Sequence, residues 1–129
     1  MLVTPHSVDY KAKLLSPILP VNDMERTIQF YREVFGFEAP VESTHYTLMR
    51  RGTTSLHLTK ATSPEVVKAV RGYLSIYLEV EGIDALWAHV AQFRDRYRTK
   101  ELFARDYDMR EFHIEDPDGC LVMVGEEIP

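Results

Sequence analysis

Between Asn22 and Gly36 the chain carries a helix signal that constrains everything on either side of it. Met24, Ile28, Tyr31 and Phe35 recur at helical spacing, while Glu25, Arg26, Gln29, Arg32 and Glu33 fall mostly off that stripe. Asn22 is placed to cap the helix, Glu25 three residues later completes a capping box, and Gly36 takes the position past the end that tolerates positive φ. Extended segments flank it. Leu14–Val21 reads as a first strand, at a sheet edge because its prolines cannot donate to a central ladder. Phe37–Val41, Thr44–Arg51 and Thr54–Lys60 follow, with a hairpin turn at Arg51-Gly52-Thr53. In the last of these, Leu56 and Leu58 alternate with Ser55, His57 and Thr59, so one face is buried and the other is wetter.

The order then restarts. Ala61–Arg71 is polar, contains Pro64, and reads as a linker with at most one helical turn after Ser63. Gly72–Val80 is a strand with Leu74, Ile76, Leu78 and Val80 on one face. Ile83, Leu86, Trp87, Val90 and Phe93 outline a second amphipathic helix. Tyr97–Phe103, Met109–Glu115 and Cys120–Gly125 are three more strands, the last two joined by a tight turn at Asp116-Pro117-Asp118-Gly119. Leu19-x-Val21 before one helix and Leu78-x-Val80 before the other sit at matching places. The expectation is an α+β chain of two βαβββ modules, at about 14–60 and 72–126, joined by residues 61–71 in a single domain spanning 1–129.

Composition narrows the function classes. The chain has 129 residues, 45% of them hydrophobic, which suits one globular domain with a real core. No apolar run reaches the ~20 residues needed to span a bilayer, and Met1–Lys13 shows no secretory core. Cys120 is the sole cysteine, so no internal disulfide exists, which fits the cytoplasm. Fifteen basic against twenty acidic residues give a net charge of −5, the wrong sign for general nucleic-acid binding. A cationic or neutral small molecule suits that balance better.

The repeat, together with Leu19-Pro20-Val21-Asn22-Asp23, Phe30-Tyr31, Phe35-Gly36-Phe37 and Met109-Arg110-Glu111-Phe112-His113-Ile114-Glu115-Asp116-Pro117-Asp118-Gly119, resembles the glyoxalase/bleomycin-resistance/extradiol-dioxygenase superfamily, also called vicinal oxygen chelate. The resemblance implies paired modules whose mixed sheets curl around a concave cavity, with helices on the outer face, usually in a homodimer. Metal-using relatives place one ligand in each of four strands. Carried over by spacing, those positions are Ser16, His57, Ser75 and Met123. One imidazole, two serines and a thioether would bind a divalent ion poorly, so the reading is metal-free, with no cofactor. Many drug-binding relatives have Trp-Gly before a similar Arg-Glu-Phe, the tryptophan lining the ligand groove. Tyr107 stands in that place, with Asp108 where those relatives have glycine, and Arg110 opens the matching Arg-Glu-Phe.

Other residues divide between ligand and scaffold roles. His57 and His113 alternate with core positions and so face a cavity; Tyr73 and Tyr77 flank Ser75 on the face opposite the leucines, where aromatics can stack on a planar ligand. His6, His45 and His89 read as surface, Trp87 as core, Cys120 as a buried inert thiol, Arg50-Arg51 as solvated, and Glu126-Glu127 as an exposed acidic tail. The ligand-binding candidates are therefore His57, Tyr73, Ser75, Tyr77, Tyr107, Arg110, His113 and Met123. The leading reading is sequestration of a small aromatic or cationic molecule by a homodimer. The alternatives are a lyase or dioxygenase of the same superfamily, using a metal at ligands placed elsewhere or His57 or His113 as base, and a ligand-free scaffold.

Overall fold

The computed structural model describes residues 7–129; His6 lies outside them. The order is β1 (Ile18–Val21), α1 (Met24–Phe35), β2 (Glu38–Glu42), β3 (Tyr46–Arg51), β4 (Thr54–Lys60), α2 (Pro64–Val70), β5 (Ser75–Glu79), α3 (Ile83–Val90), a single 3-10 turn at Ala91–Phe93, β6 (Thr99–Ala104), β7 (Met109–Glu115) and β8 (Leu121–Glu127). The strands form two four-stranded sheets, ordered β1-β4-β3-β2 and β5-β8-β7-β6. Each is mixed: β1 runs parallel to β4 and β5 to β8, and the remaining pairs are antiparallel. The architecture is α+β, two copies of one module, and neither sheet closes into a barrel.

Local chemistry explains where the elements begin and end. Asp23, rather than Asn22, caps α1: its carboxylate accepts the Arg26 N–H at 3.2 Å. The Asn22 N–H is instead spent on Asp118, 3.0 Å away. Gly36 adopts φ 69°, and the Gly36 and Phe37 amides close the helix on Arg32 and Tyr31. The first strand is shorter than its apolar letters suggest. Pro17 cannot donate, although its carbonyl still accepts the His57 N–H at 2.9 Å, and the strand proper begins at Ile18 while β1 takes the expected edge.

Residues 61–71 hold more order than a linker. Pro64 occupies the first turn of α2, which buries Val67. The second helix stops at Val90, and Phe93 belongs to the 3-10 turn. Glu126 is no free tail: its carboxylate accepts the N–H groups of Gly82 and Ile83 at 2.9 and 3.2 Å, capping α3 from the last strand. Arg51 likewise donates to the Gly36 carbonyl at 3.2 Å, and His89 meets the Glu33 carbonyl at 2.8 Å.

One hydrophobic cluster draws on both modules, joining Phe30, Tyr31 and Val34 of α1 to Phe112, Ile114, Val122 and Val124 of the second sheet. This is why α1 buries Thr27, Phe30 and Val34 in addition to the expected stripe. The helix packs on β2, β3 and β4 and also touches α3. Phe30 meets Tyr97 edge-on at 4.8 Å between ring centres. The Asp116–Gly119 turn completes the joint. Tyr31 donates to Asp116 at 2.8 Å, and Thr27 donates to Asp118 at 2.6 Å. Asp116 also accepts the N–H groups of Asp118 and Cys120. The motif between β7 and β8 is therefore an intermodule clasp.

Candidate ligand-binding face

Strand alternation gives each sheet one face against the helices and one open face. On the second sheet, Ile76 and Leu78 pack toward the core, and Ser75 and Tyr77 point the other way, as the sequence alternation predicts. Register places Tyr77, Met123, His113 and Lys100 in one row across β5, β8, β7 and β6. Glu79, Gly125, Glu111 and Phe103 make the next row.

Glu111 is the centre of this face, and its side chain is fully buried (0% exposed). Its Oε2 accepts the Tyr77 hydroxyl at 2.9 Å and also the Tyr107 hydroxyl. Its Oε1 accepts from His113 Nε2 at 3.0 Å and lies 3.9 Å from Arg105 Nε. Burial pushes this carboxyl upward, but the bonds from Tyr107, His113 and Tyr77 and the Arg105 charge outweigh it. The net effect holds Glu111 below the usual carboxylate value. The phenols move the other way: burial and the bond to Glu111 raise Tyr77, and that bond with burial raises Tyr107.

Two backbone features make the cluster possible. Tyr77 reaches diagonally across β8 because residue 125 is glycine; a Cβ there would lie 1.9 Å from the Tyr77 hydroxyl. Asp108 adopts φ 61°, the left-handed conformation for which glycine is usual, so the Tyr107 loop turns despite the substitution. Phe103 stands edge-on to His113 at 5.2 Å, and the Arg105 guanidinium lies 4.9 Å from the centre of the Tyr107 ring. The rings of Tyr77 and Tyr107 remain 45% and 48% exposed.

The sequence candidates therefore separate. Tyr77, Tyr107, His113 and Met123 come together on one face, with Ser75 at the start of the same strand. His57 lies on the open face of the other sheet, where its Nδ1 meets the Tyr46 hydroxyl. Tyr73 sits in the turn before β5, 86% exposed. Arg110 shares the helix-side parity of Phe112 and forms a two-point pair with Asp84 of α3 at 2.8 and 2.9 Å. It is not brought to the open face. Glu111 was missed, although its spacing of two from His113 on one strand was a legible signal.

Among the described residues no three His, Cys, Asp or Glu side chains cluster as a metal site requires. Ser16 is hydrogen-bonded to Ser55 at 2.5 Å, on the sheet that carries His57. Ser75 and Met123 lie on the other. Separately, a crevice of about 220 Å³ between the modules is lined by Tyr31, Phe35, Leu56, Ile76, Tyr77 and Leu78 among others. No helix of the described residues is long and apolar enough to cross a membrane.

The chain is 28% identical over 125 residues to the bleomycin resistance proteins of Geobacillus stearothermophilus and Staphylococcus aureus, covering 87% of this chain and 95% of each relative. Among solved structures, a bleomycin-binding protein complexed with bleomycin superposes with a TM-score of 0.73 at 17% identity, covering 90% of this chain and 99% of that one. A glyoxalase-related enzyme from Clostridium phytofermentans gives 0.73 at 20% identity, over 92% and 98% of the two chains. The bleomycin-binding protein of Streptomyces verticillus, complexed with copper(II)-bleomycin, gives 0.70 at 24% identity over 88% and 97%. The family profile matches residues 13–124. With its two βαβββ modules, the chain belongs to the Glyoxalase/Bleomycin resistance protein/Dioxygenase superfamily.

Proposed function

We propose that this chain is a metal-independent binding protein of the bleomycin-resistance type, a single domain that acts in the cytoplasm as a homodimer. The observation that carries the reading is the cluster of Tyr77, Tyr107 and His113 around the buried Glu111 carboxylate. Holding a ligand by stacking and hydrogen bonds needs no acid, base or metal, and this face offers two half-exposed phenol rings, a thioether and an imidazole. The relatives named for bleomycin resistance support a bleomycin-type ligand, and the two phenol rings suit one that is aromatic or cationic. The dimer is supported by the first sheet, whose open face leaves Ile18 and Val41 more than half exposed. A second copy lying over that face would cover them and make a cleft.

The test is a calorimetric titration of the metal-stripped protein with copper-free bleomycin, paired with a thermal melt. A ligand present at a hundred times its dissociation constant stabilises by ~2.7 kcal/mol. Saturable binding without turnover supports the proposal, and absence of binding removes the bleomycin-type ligand. Sedimentation equilibrium at micromolar concentration decides the dimer. A second reading, proton-transfer catalysis with His113 as base, draws on the 3.0 Å Glu111–His113 pair, a carboxylate orienting an imidazole. Chemical change of the bound molecule would favour it.

A further inference from the structure

A buried carboxylate that receives every nearby proton donor also dictates what those groups show to a ligand. We infer that Glu111 is a positioning residue that turns the open face into a hydrogen-bond-accepting surface, selective for planar ligands that carry N–H donors. The inference rests on this face being the ligand site.

The chemistry follows from proton placement. An ionised carboxylate only accepts, so the hydroxyl hydrogens of Tyr77 and Tyr107 both point inward to Glu111 Oε2. What each phenol presents outward is an oxygen lone pair. His113 meets Oε1 through Nε2, so that nitrogen carries the hydrogen. Two phenols that could each donate or accept are thereby fixed as acceptors, and the Nε2 hydrogen of His113 is taken up, by one residue that the ligand never touches. Arg105 supplies a positive charge 3.9 Å from Oε1, which helps keep the carboxylate ionised. An amidinium, guanidinium or amide N–H edge finds partners on this face. A carboxylate of the same outline meets the lone pairs of both phenols, and the cations beside them, Lys100 and Arg105, are engaged over the Phe103 and Tyr107 rings.

The test uses two probes of one shape, benzamidinium and benzoate, titrated into the full chain and followed by NMR shifts of labelled tyrosine and histidine. Benzamidinium is expected to shift Tyr77, Tyr107 and His113 and to bind about tenfold more tightly than benzoate, the scale of one charge-assisted hydrogen bond. In Glu111→Gln the amide can donate to one phenol, which then donates outward, so the preference should narrow. Glu79→Gln removes an equal charge from the same face without touching these bonds, and should leave the preference in place.

Equal or tighter benzoate binding by the parent overturns the inference, as does an equal effect of Glu79→Gln, which would make bulk charge the cause. Should Glu111→Gln fail to fold, nitrogen shifts of His113 in the parent decide alone. A hydrogen on Nε2 supports the inference, and a neutral ring with its hydrogen on Nδ1 overturns it. If bleomycin fails to bind while the benzamidinium preference holds, the inference stands and only the proposed ligand falls. If neither probe shifts these residues, the inference falls, and the bleomycin titration alone decides the proposed function.

Discussion

The Thr27 hydroxyl donates to the Asp118 carboxylate at 2.6 Å across 91 positions of sequence, and both groups are buried. The bond ties the helix of one module to the turn of the other. Thr27→Val keeps the shape and removes the donor, leaving the carboxylate with the Asn22 N–H and an Arg26 contact at 3.4 Å. The expected loss is about 1–3 kcal/mol in a urea melt, the usual cost of stripping a buried acceptor. A change below ~0.5 kcal/mol, within the range of ordinary surface substitutions, would mean the clasp contributes little.

Gly125→Ala should act on Tyr77. The added methyl would overlap the phenol, so the ring must leave Glu111 or β8 must shift. Overpacking of this kind costs about 1–3 kcal/mol. The informative readout is the Tyr77 ring resonance, which should move toward that of an exposed tyrosine. An unmoved resonance would show that the sheet absorbs the methyl instead.

Tyr77→Ala separates surface from core. Its ring is half exposed, so trimming it should cost much less than the ~3–5 kcal/mol expected for buried Phe112→Ala. Affinity for whichever probe binds the face should fall while the melt stays cooperative. A stability loss as large as that of Phe112→Ala would place Tyr77 in the core.

Acid stability should depend on Glu111. Its carboxyl is held below the unfolded value, so its contribution is complete above the unfolded pKa of about 4.3 and disappears as pH falls through the lower folded value. Asp116 works in the opposite direction: burial raises it, so it favours the folded state in acid and costs stability at neutral pH. Melts of the parent and Glu111→Gln between about pH 5 and pH 2 should converge toward the acid end. Parallel curves would assign the acid sensitivity elsewhere.

Cys120 should resist thiol reagents in the native state. Burial and the neighbouring Asp116 and Asp118 push its thiol up to about 12, and the residue is only 3% exposed. Labelling by a disulfide reagent should therefore follow unfolding. Rapid labelling under native conditions would contradict the buried position.

The module order, the α1 stripe and the two faces of β5 were legible because each rests on local periodicity. Leu74, Ile76 and Leu78 announce one face of a strand whatever the rest of the chain does. The cap of α3 and the partners of α1 were not, since they come from residues distant in sequence. Glu126 reads as an acidic tail until the register of β8 carries it to Gly82. Arg110 reads as a site residue until its parity with Phe112 turns it toward Asp84. Glu111 stands between two motif letters and looks like part of a signature. Its chemistry emerges only when Tyr77, arriving from another strand, and Tyr107 converge on it.

Translation order gives the clasp a temporal side. On a ribosome, Thr27 and Tyr31 are made long before Asp118 and Asp116, and the amides at the start of α3 precede Glu126 by more than forty residues. The first module must therefore emerge with two hydroxyls and an aromatic flank still facing water. The α3 helix likewise waits for the final strand before its first turn is capped. Nascent chains stopped at the linker should bind chaperones that recognise apolar surface, and release should come only after the turn at Asp116–Gly119 has left the exit tunnel.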